Sequence, residues 1–306
     1  MRIFVTGAGG YIGNSVAKTF REKGHTVFGL VRTQEDASLL SAREIIPVIG
    51  DLDNPDSYKE VLSEVEAAVH CAFDSSENSV IKDEKTIQTI LSHFQGSGFS
   101  RAFIYTSGIW IYGSNENRIM DESMPVNPIS LVSWRPKHEE MVLKASNPLL
   151  KTVVIRPGVV YGLAGGKVLN DFFKLALNQE SVLIGEGNNH WPMVHIVDLA
   201  HAYVSAVERE ANGLVFNVVD DSSFTLREIV QSISKVAGNK NEIKNISREE
   251  GEKIFGALLE GVLVDLKVDN SRIKRLLKWQ IHHASFVDQI EIYYKAWLNK
   301  QNIEEF

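Results

Sequence analysis

The sequence predicts an α/β fold, a doubly wound and mostly parallel sheet carrying a smaller C-terminal lobe. Three observations predict it. Short apolar runs alternate with helical periodicities through the first third of the chain, the pattern of parallel strands joined by crossover helices. A glycine-rich turn, Gly7–Gly13, separates the first apolar run from its helix. After Arg156-Pro157-Gly158 the rhythm changes to a glycine-rich stretch between Gly162 and Gly187.

Ile3-Phe4-Val5 reads as a short buried strand, followed by Val16, Ala17 and Phe20 at helical spacing and a stop at Lys23-Gly24. Thr26–Val31 and Ile45–Ile49 read as the next strands. Asn54-Pro55-Asp56 has the N-cap and first-turn proline of a helix start. Ala67–Ala72 is a fourth strand, Ser79–Gln95 a long helix, Ala102–Thr106 a fifth strand and Lys151–Ile155 a sixth, with a helix at Trp134–Ala145 between the last two. Beyond them lie helices at Asp171–Leu177 and Leu226–Val236, the latter capped by Thr225, while Val194–Glu208 reads as a strand edge followed by a helix from near Leu199 with Asp198 as its cap. The expected division is interwoven: residues 1–160 and 190–220 form a dinucleotide-binding domain, and 161–189 with 221–306 a substrate lobe.

A chain of 306 residues with 44% hydrophobic and 23% charged residues suits a packed globular protein. A net charge of −7 argues against nucleic-acid binding, which calls for a basic face. The single cysteine, Cys71, excludes an intrachain disulfide and suits a reducing compartment. No apolar run approaches the roughly 20 residues that span a bilayer. The expectation is a cytoplasmic protein with neither nucleic-acid nor membrane partners.

Thr6-Gly7-Ala8-Gly9-Gly10-Tyr11-Ile12-Gly13 fits a Rossmann-type phosphate turn. Gly7 permits the tight turn, Gly10 lets backbone approach a pyrophosphate, and Gly13 lets helix pack on strand. The helix start supplies free N–H groups and a favourable dipole. The tip of the second strand, where the adenosine ribose is read, carries Val31-Arg32 and no acid. A guanidinium pairs with a 2′-phosphate, so the expected cofactor is NADP rather than NAD, with Asp36 the nearby acid that opposes it.

With these residues in place, the chain resembles the extended short-chain dehydrogenase/reductase superfamily, in its NAD-dependent epimerase/dehydratase branch. The likeness rests on Thr6–Gly13, Gly50-Asp51-Leu52, His70-Cys71-Ala72-Phe73, Tyr105-Thr106-Ser107-Gly108, Ile111-Tyr112-Gly113, Arg156–Gly162, Val194–Ala200 and Phe216-Asn217-Val218. It implies that Asp51 and Leu52 lie beside the adenine and that Ala72 and Phe73 cover ribose and phosphates. Thr106, Pro157 and Val159 would approach the nicotinamide, with Gly7, Gly10, Tyr11, Ile12, Gly13 and Arg32 completing the cofactor set. It also implies that helices Ser79–Gln95 and Trp134–Ala145 could pair two copies into a homodimer.

The chain departs from the family where the chemistry sits. The family's Tyr-x-x-x-Lys pair falls on Trp134 and His138, and its serine on Gly108, with Ser107 one place early. An indole has no proton to exchange at neutral pH. This places the chain among atypical members, one group of which carries a Trp-Arg-Pro segment. The remaining proton donors are Ser107, His138, Tyr112, Tyr161 or a water, with Lys137 as an alternative ribose partner. Ser107 is the strongest, since ligands of open α/β sheets sit at strand C-terminal ends.

Trp191 stands where nucleotide-sugar enzymes of this family carry an arginine. With Trp110 and Trp134 it suggests an aromatic substrate pocket. The expected function is an NADP-dependent oxidoreductase of a small carbonyl or alcohol with a non-standard proton donor. The alternatives are a non-catalytic NADP(H)-binding redox sensor or regulator and, third, a nucleotide-sugar epimerase or dehydratase. His190 with His195, and His282 with His283, lack zinc-ligand spacing, so no metal is expected. The acidic pairs Asp83-Glu84 and Glu304-Glu305 read as solvated faces.

Overall fold

A computed structural model describes residues 1–74, 76–115 and 118–304, with side chains through 301. Glu305 of the terminal acidic pair lies outside the described residues. Seven parallel strands form the central sheet in the order Ile46–Ile49, Thr26–Val31, Arg2–Thr6, Ala67–His70, Arg101–Thr106, Leu150–Pro157 and Leu214–Val218. The winding reverses between Arg2–Thr6 and Ala67–His70, which creates a crevice above their C-terminal ends. Both faces of the sheet are covered, so its inner strands are apolar without alternation; Ala67–His70 is buried throughout.

On one face, helix Tyr11–Glu22 buries Val16, Ala17 and Phe20, and helix Ile196–Glu208 buries Leu199, Ala202 and Tyr203. Ile273, Leu277 and Trp279 join this same core. Sequence alone had counted that segment with the lobe, because its link to the sheet is purely tertiary. On the other face, helix Ser79–Gln95 buries Ile87, Ile90, Leu91 and Phe94, and helix Arg135–Lys144 contributes Val142. The lobe has its own aromatic core, in which Phe172, Phe173, Trp191, Phe286 and Trp297 join helices Lys167–Leu177, Leu226–Val236 and Ile290–Glu304.

Two local expectations are corrected. Asn54 makes no side-chain cap, and Pro55–Ser57 is a single tight turn before a four-residue helix, Lys59–Leu62. The Ser57 hydroxyl donates back to the Asn54 carbonyl and accepts from the Asp51 N–H, which stops the turn from continuing as a helix. Asp198 is not the cap of its helix: His195 is, accepting from the Val197 N–H at 3.3 Å. Thr225 does cap its helix, in a reciprocal box with Glu228.

A buried ion pair ties helix Arg135–Lys144 to the sheet. Arg156 Nε donates to Glu139 at 3.0 and 3.2 Å, and its Nη1 to the Tyr112 hydroxyl at 2.7 Å. Both partners are about 95% buried or more. Removing one charge strands the other in a low-dielectric site. Glu139→Gln is expected to destabilise the fold by about 3 kcal/mol in urea unfolding followed by circular dichroism.

Candidate functional site

The crevice is built from the glycine turn upward. Gly7 takes φ +68°, and a Cβ there would lie 2.8 Å from the Ala72 backbone, so only glycine lets the turn sit against the fourth strand's end. A Cβ on Gly13 would lie 2.2 Å from the Gly7 carbonyl oxygen, so this residue sets the close approach of helix to turn. Helix Tyr11–Glu22 begins at Gly10 with no capping side chain and no acid in its first turn. Its N–H groups are left to an anion, the environment a pyrophosphate needs. A cleft of about 930 Å³ opens beside this helix start, bordered by Gly9, Gly10, Asp36, Arg43 and the loop around Gly165. Tyr11 donates its hydroxyl to the Gly162 carbonyl at 2.6 Å, joining the turn to the lobe's first loop, while Ile12 packs partly on the core. These residues fit a dinucleotide cofactor.

Arg32 is exposed and makes no hydrogen bond or ion pair with another described residue. Asp36, held by the Thr33 hydroxyl at 2.9 Å, lies against Gly9 and borders the same cleft. Asp51 and Leu52 are half-buried after the third strand, with Asp51 Oδ1 accepting from the Asp53 N–H. Ala72 donates its N–H to the Thr6 hydroxyl at 3.3 Å. Pro157 is buried at its strand's end, and Val159 is half-buried in the short strand Val159–Tyr161 that pairs with Met193–His195.

Above the crevice stands an aromatic wall. Trp134 stacks on Phe73 at 5.4 Å and 12°, and the Arg135 guanidinium lies 4.5 Å from the Trp134 ring. Arg135 Nη1 donates to the Thr106 carbonyl at 2.8 Å, which fixes the wall against the fifth strand. Trp110 is half-buried against Gly261. Trp191 departs from expectation: it is 3% exposed in the lobe core, with Nε1 donating to the Val262 carbonyl. An indole edge that finds a carbonyl inside an apolar core is more stable there than facing a wet cleft.

The proposed proton donors separate by their partners. Thr106 Oγ1 is 2.8 Å from the Tyr203 hydroxyl. Tyr112 donates to Asn217 and accepts from Arg156. Tyr161 donates to Asp220 and the Ala284 carbonyl within the lobe core, and burial raises its pKa far above the ordinary value. Lys137 is exposed and paired with Glu84. Burial pushes the Cys71 thiol up to about 12, so it is no nucleophile at neutral pH. Ser107 is 5% exposed at the strand's C-terminal end, and its hydroxyl has no partner among the described residues.

His138 belongs to a buried network that sequence reasoning missed. Its Nδ1 lies 2.7 Å from Asp83 Oδ2, and His70 Nε2 approaches Asp83 Oδ1 at 3.2 Å, angled away from a linear bond. His70 Nδ1 lies 2.6 Å from the Thr6 hydroxyl. Tyr105 donates to Asp83 at 2.9 Å. Asp83 is 3% exposed, so it is not part of a solvated acidic face. Its position as the fifth residue of an amphipathic helix was the available signal. Burial by itself would raise its pKa; the His138 hydrogen bond and the nearby His70 and Arg135 outweigh it and hold the carboxyl well below the usual range.

The model of the NAD dependent epimerase/dehydratase family matches residues 3–219. The chain belongs to that family. Within it, the chain is an atypical extended short-chain dehydrogenase/reductase. An uncharacterized protein of Schizosaccharomyces pombe is 30% identical over 297 residues, covering 95% of this chain and 98% of its own length. A ketoreductase of Stigmatella aurantiaca, named for a farnesyl dihydroquinoline oxide, is 23% identical over 85% of this chain and 82% of its own. The crystal structure of a dTDP-glucose 4,6-dehydratase from Bacillus anthracis, in complex with NAD, superposes with a TM-score of 0.83 at 18% identity, covering 99% and 98%. Among the described residues of this family member, no helix is long and apolar enough to cross a membrane.

Because folding depresses the Asp83 pKa, its contribution to stability is complete above the unfolded value of about 4 and is lost as pH falls below it. Asp83→Asn is expected to lower the unfolding midpoint at pH 7. The gap to wild type should narrow below about pH 4 in a pH series of denaturant melts.

Proposed function

We propose that this family member is an NADP-dependent oxidoreductase of a small, weakly polar carbonyl or alcohol, with Ser107 taking the place of the family's tyrosine. The observation that carries this reading is the buried Ser107 hydroxyl at the fifth strand's C-terminal end, which has no hydrogen-bond partner among the described residues. Reduced nicotinamide, when bound, supplies hydride. Ser107 would then hydrogen-bond the substrate oxygen, pass its proton to the alkoxide formed there, and be reprotonated by water. Trp134, Phe73 and Arg135 would form the wall over the reacting carbon and exclude solvent. His138, anchored on Asp83, would position that wall rather than touch substrate.

A weakly polar substrate is favoured because the segment before Val194-His195 ends in the core-buried Trp191 and offers no cation to a diphosphate. The ketoreductase relative points to the same reaction class. NADP is favoured over NAD by the exposed, unpaired Arg32 at the second strand's tip. Pairing of two copies through helices Ser79–Gln95 and Arg135–Lys144 is part of the same reading, supported by Ile81, 65% exposed on the first of them.

Arg32→Ala is expected to weaken NADPH binding by about 10-fold in fluorescence titration and leave NADH unchanged, whereas Asp36→Asn should tighten NADPH. Ser107→Ala is expected to lower kcat by about 100-fold on an aldehyde and ketone panel, with cofactor affinity unaltered. Tight cofactor binding without turnover on any panel member would assign the chain to the sensor or regulator class instead.

A further inference from the structure

Four of the nine histidines lie around Asp198, away from the crevice chemistry described above. Helix Ile196–Glu208 presents Asp198 and, one turn later, His201 on one face. The segment from Trp279 to His283 crosses that face. Trp279 Nε1 donates to the Asp198 carbonyl at 2.8 Å, and the N–H groups of His282 and His283 donate to Asp198 Oδ2 at 3.2 and 3.1 Å. His283 Nδ1 donates to Oδ1 at 3.0 Å. The side of Oδ1 towards His282, whose Nδ1 is 3.7 Å away, carries no such hydrogen bond. The His201 and His282 rings stand perpendicular at 5.7 Å. One ligand atom from each of Asp198, His201 and His282 falls within 4.8 Å of the others.

We propose that Asp198, His201 and His282 bind a divalent transition-metal ion of the zinc class, clamping the C-terminal segment onto the sheet lobe. Two imidazoles and one carboxylate suit zinc, cobalt or nickel, whereas magnesium and calcium take oxygen shells. Ligands about 2.1 Å from one ion stand roughly 3–4 Å apart, so a side-chain shift of about 1–2 Å closes the set. His282, with 54% of its side chain exposed, is free to make that shift and leaves an entry path. The backbone amides and the His283 ring hold the carboxylate in the way that outer partners orient metal ligands. Spacing along the chain could not reveal the site, because His282 is 84 residues from Asp198.

The test uses the full chain, stripped with chelator and titrated with Zn2+ by calorimetry and with Co2+ by visible absorption. The expected result is one ion per chain, a raised Tm with Zn2+, and a Co2+ d–d band. His201→Ala and His282→Ala are each expected to weaken Zn2+ binding by about 100-fold and abolish the Tm rise, while His93→Ala changes neither. His282 is exposed, so its variant should match wild type in Tm when chelator is present. Absence of stoichiometric Zn2+ binding to wild type, or unchanged binding in His282→Ala, would overturn the site.

Discussion

The whole arrangement depends on a strand, a turn and a helix approaching one another more closely than side chains allow. Gly7 must adopt a left-handed conformation against Ala72, and Gly13 must sit on the carbonyl of Gly7. That approach aims the helix start, without a capping side chain, at the point where the sheet's winding reverses. An anion-binding end and a crevice thus coincide by construction. Tyr11, bonded to the Gly162 carbonyl, then locates the lobe's first loop relative to the turn.

Buried polar groups do the long-range tying that apolar packing cannot specify. Asp83 joins a helix on one face to the ends of two strands through His70 and Tyr105, and reaches the aromatic wall through His138. Glu139 and Arg156 join the same wall's helix to the sixth strand. Asp198 holds the C-terminal segment under the sheet. Each acid is at least 95% buried, so leaving it unpaired would be costly, and only one arrangement satisfies it. Ser107, at the end of the fifth strand, keeps a buried hydroxyl with no hydrogen-bond partner among the described residues.

The chemistry follows from what has been replaced. Trp134 gives a flat apolar surface that stacks on Phe73, and the Arg135 guanidinium packs over both rings. A guanidinium stacked on an indole keeps its edge free for a carbonyl, which is how Arg135 can pack and donate to Thr106 at once. In the proposed reading, the acid function lies with Ser107, at the end of the strand below this wall.

Local signals determined the parallel strand sequence, the phosphate turn, the helix capped by Thr225 and the family motifs, because periodicity, glycine placement and capping act over a few residues. The same short range misled at Asn54 and Asp198, where a plausible cap is overridden by Ser57 and by a segment 84 residues away. Trp191 could not be assigned to core or pocket from the chain alone, since an indole serves either; the Val262 carbonyl decided it. Asp83 read as solvated because its partners, His70, Tyr105 and His138, converge only in three dimensions. What neighbours dictate through propensity was legible, whereas which buried polar groups satisfy one another was decided by tertiary packing, because hydrogen-bond partners distant in sequence leave no periodic trace.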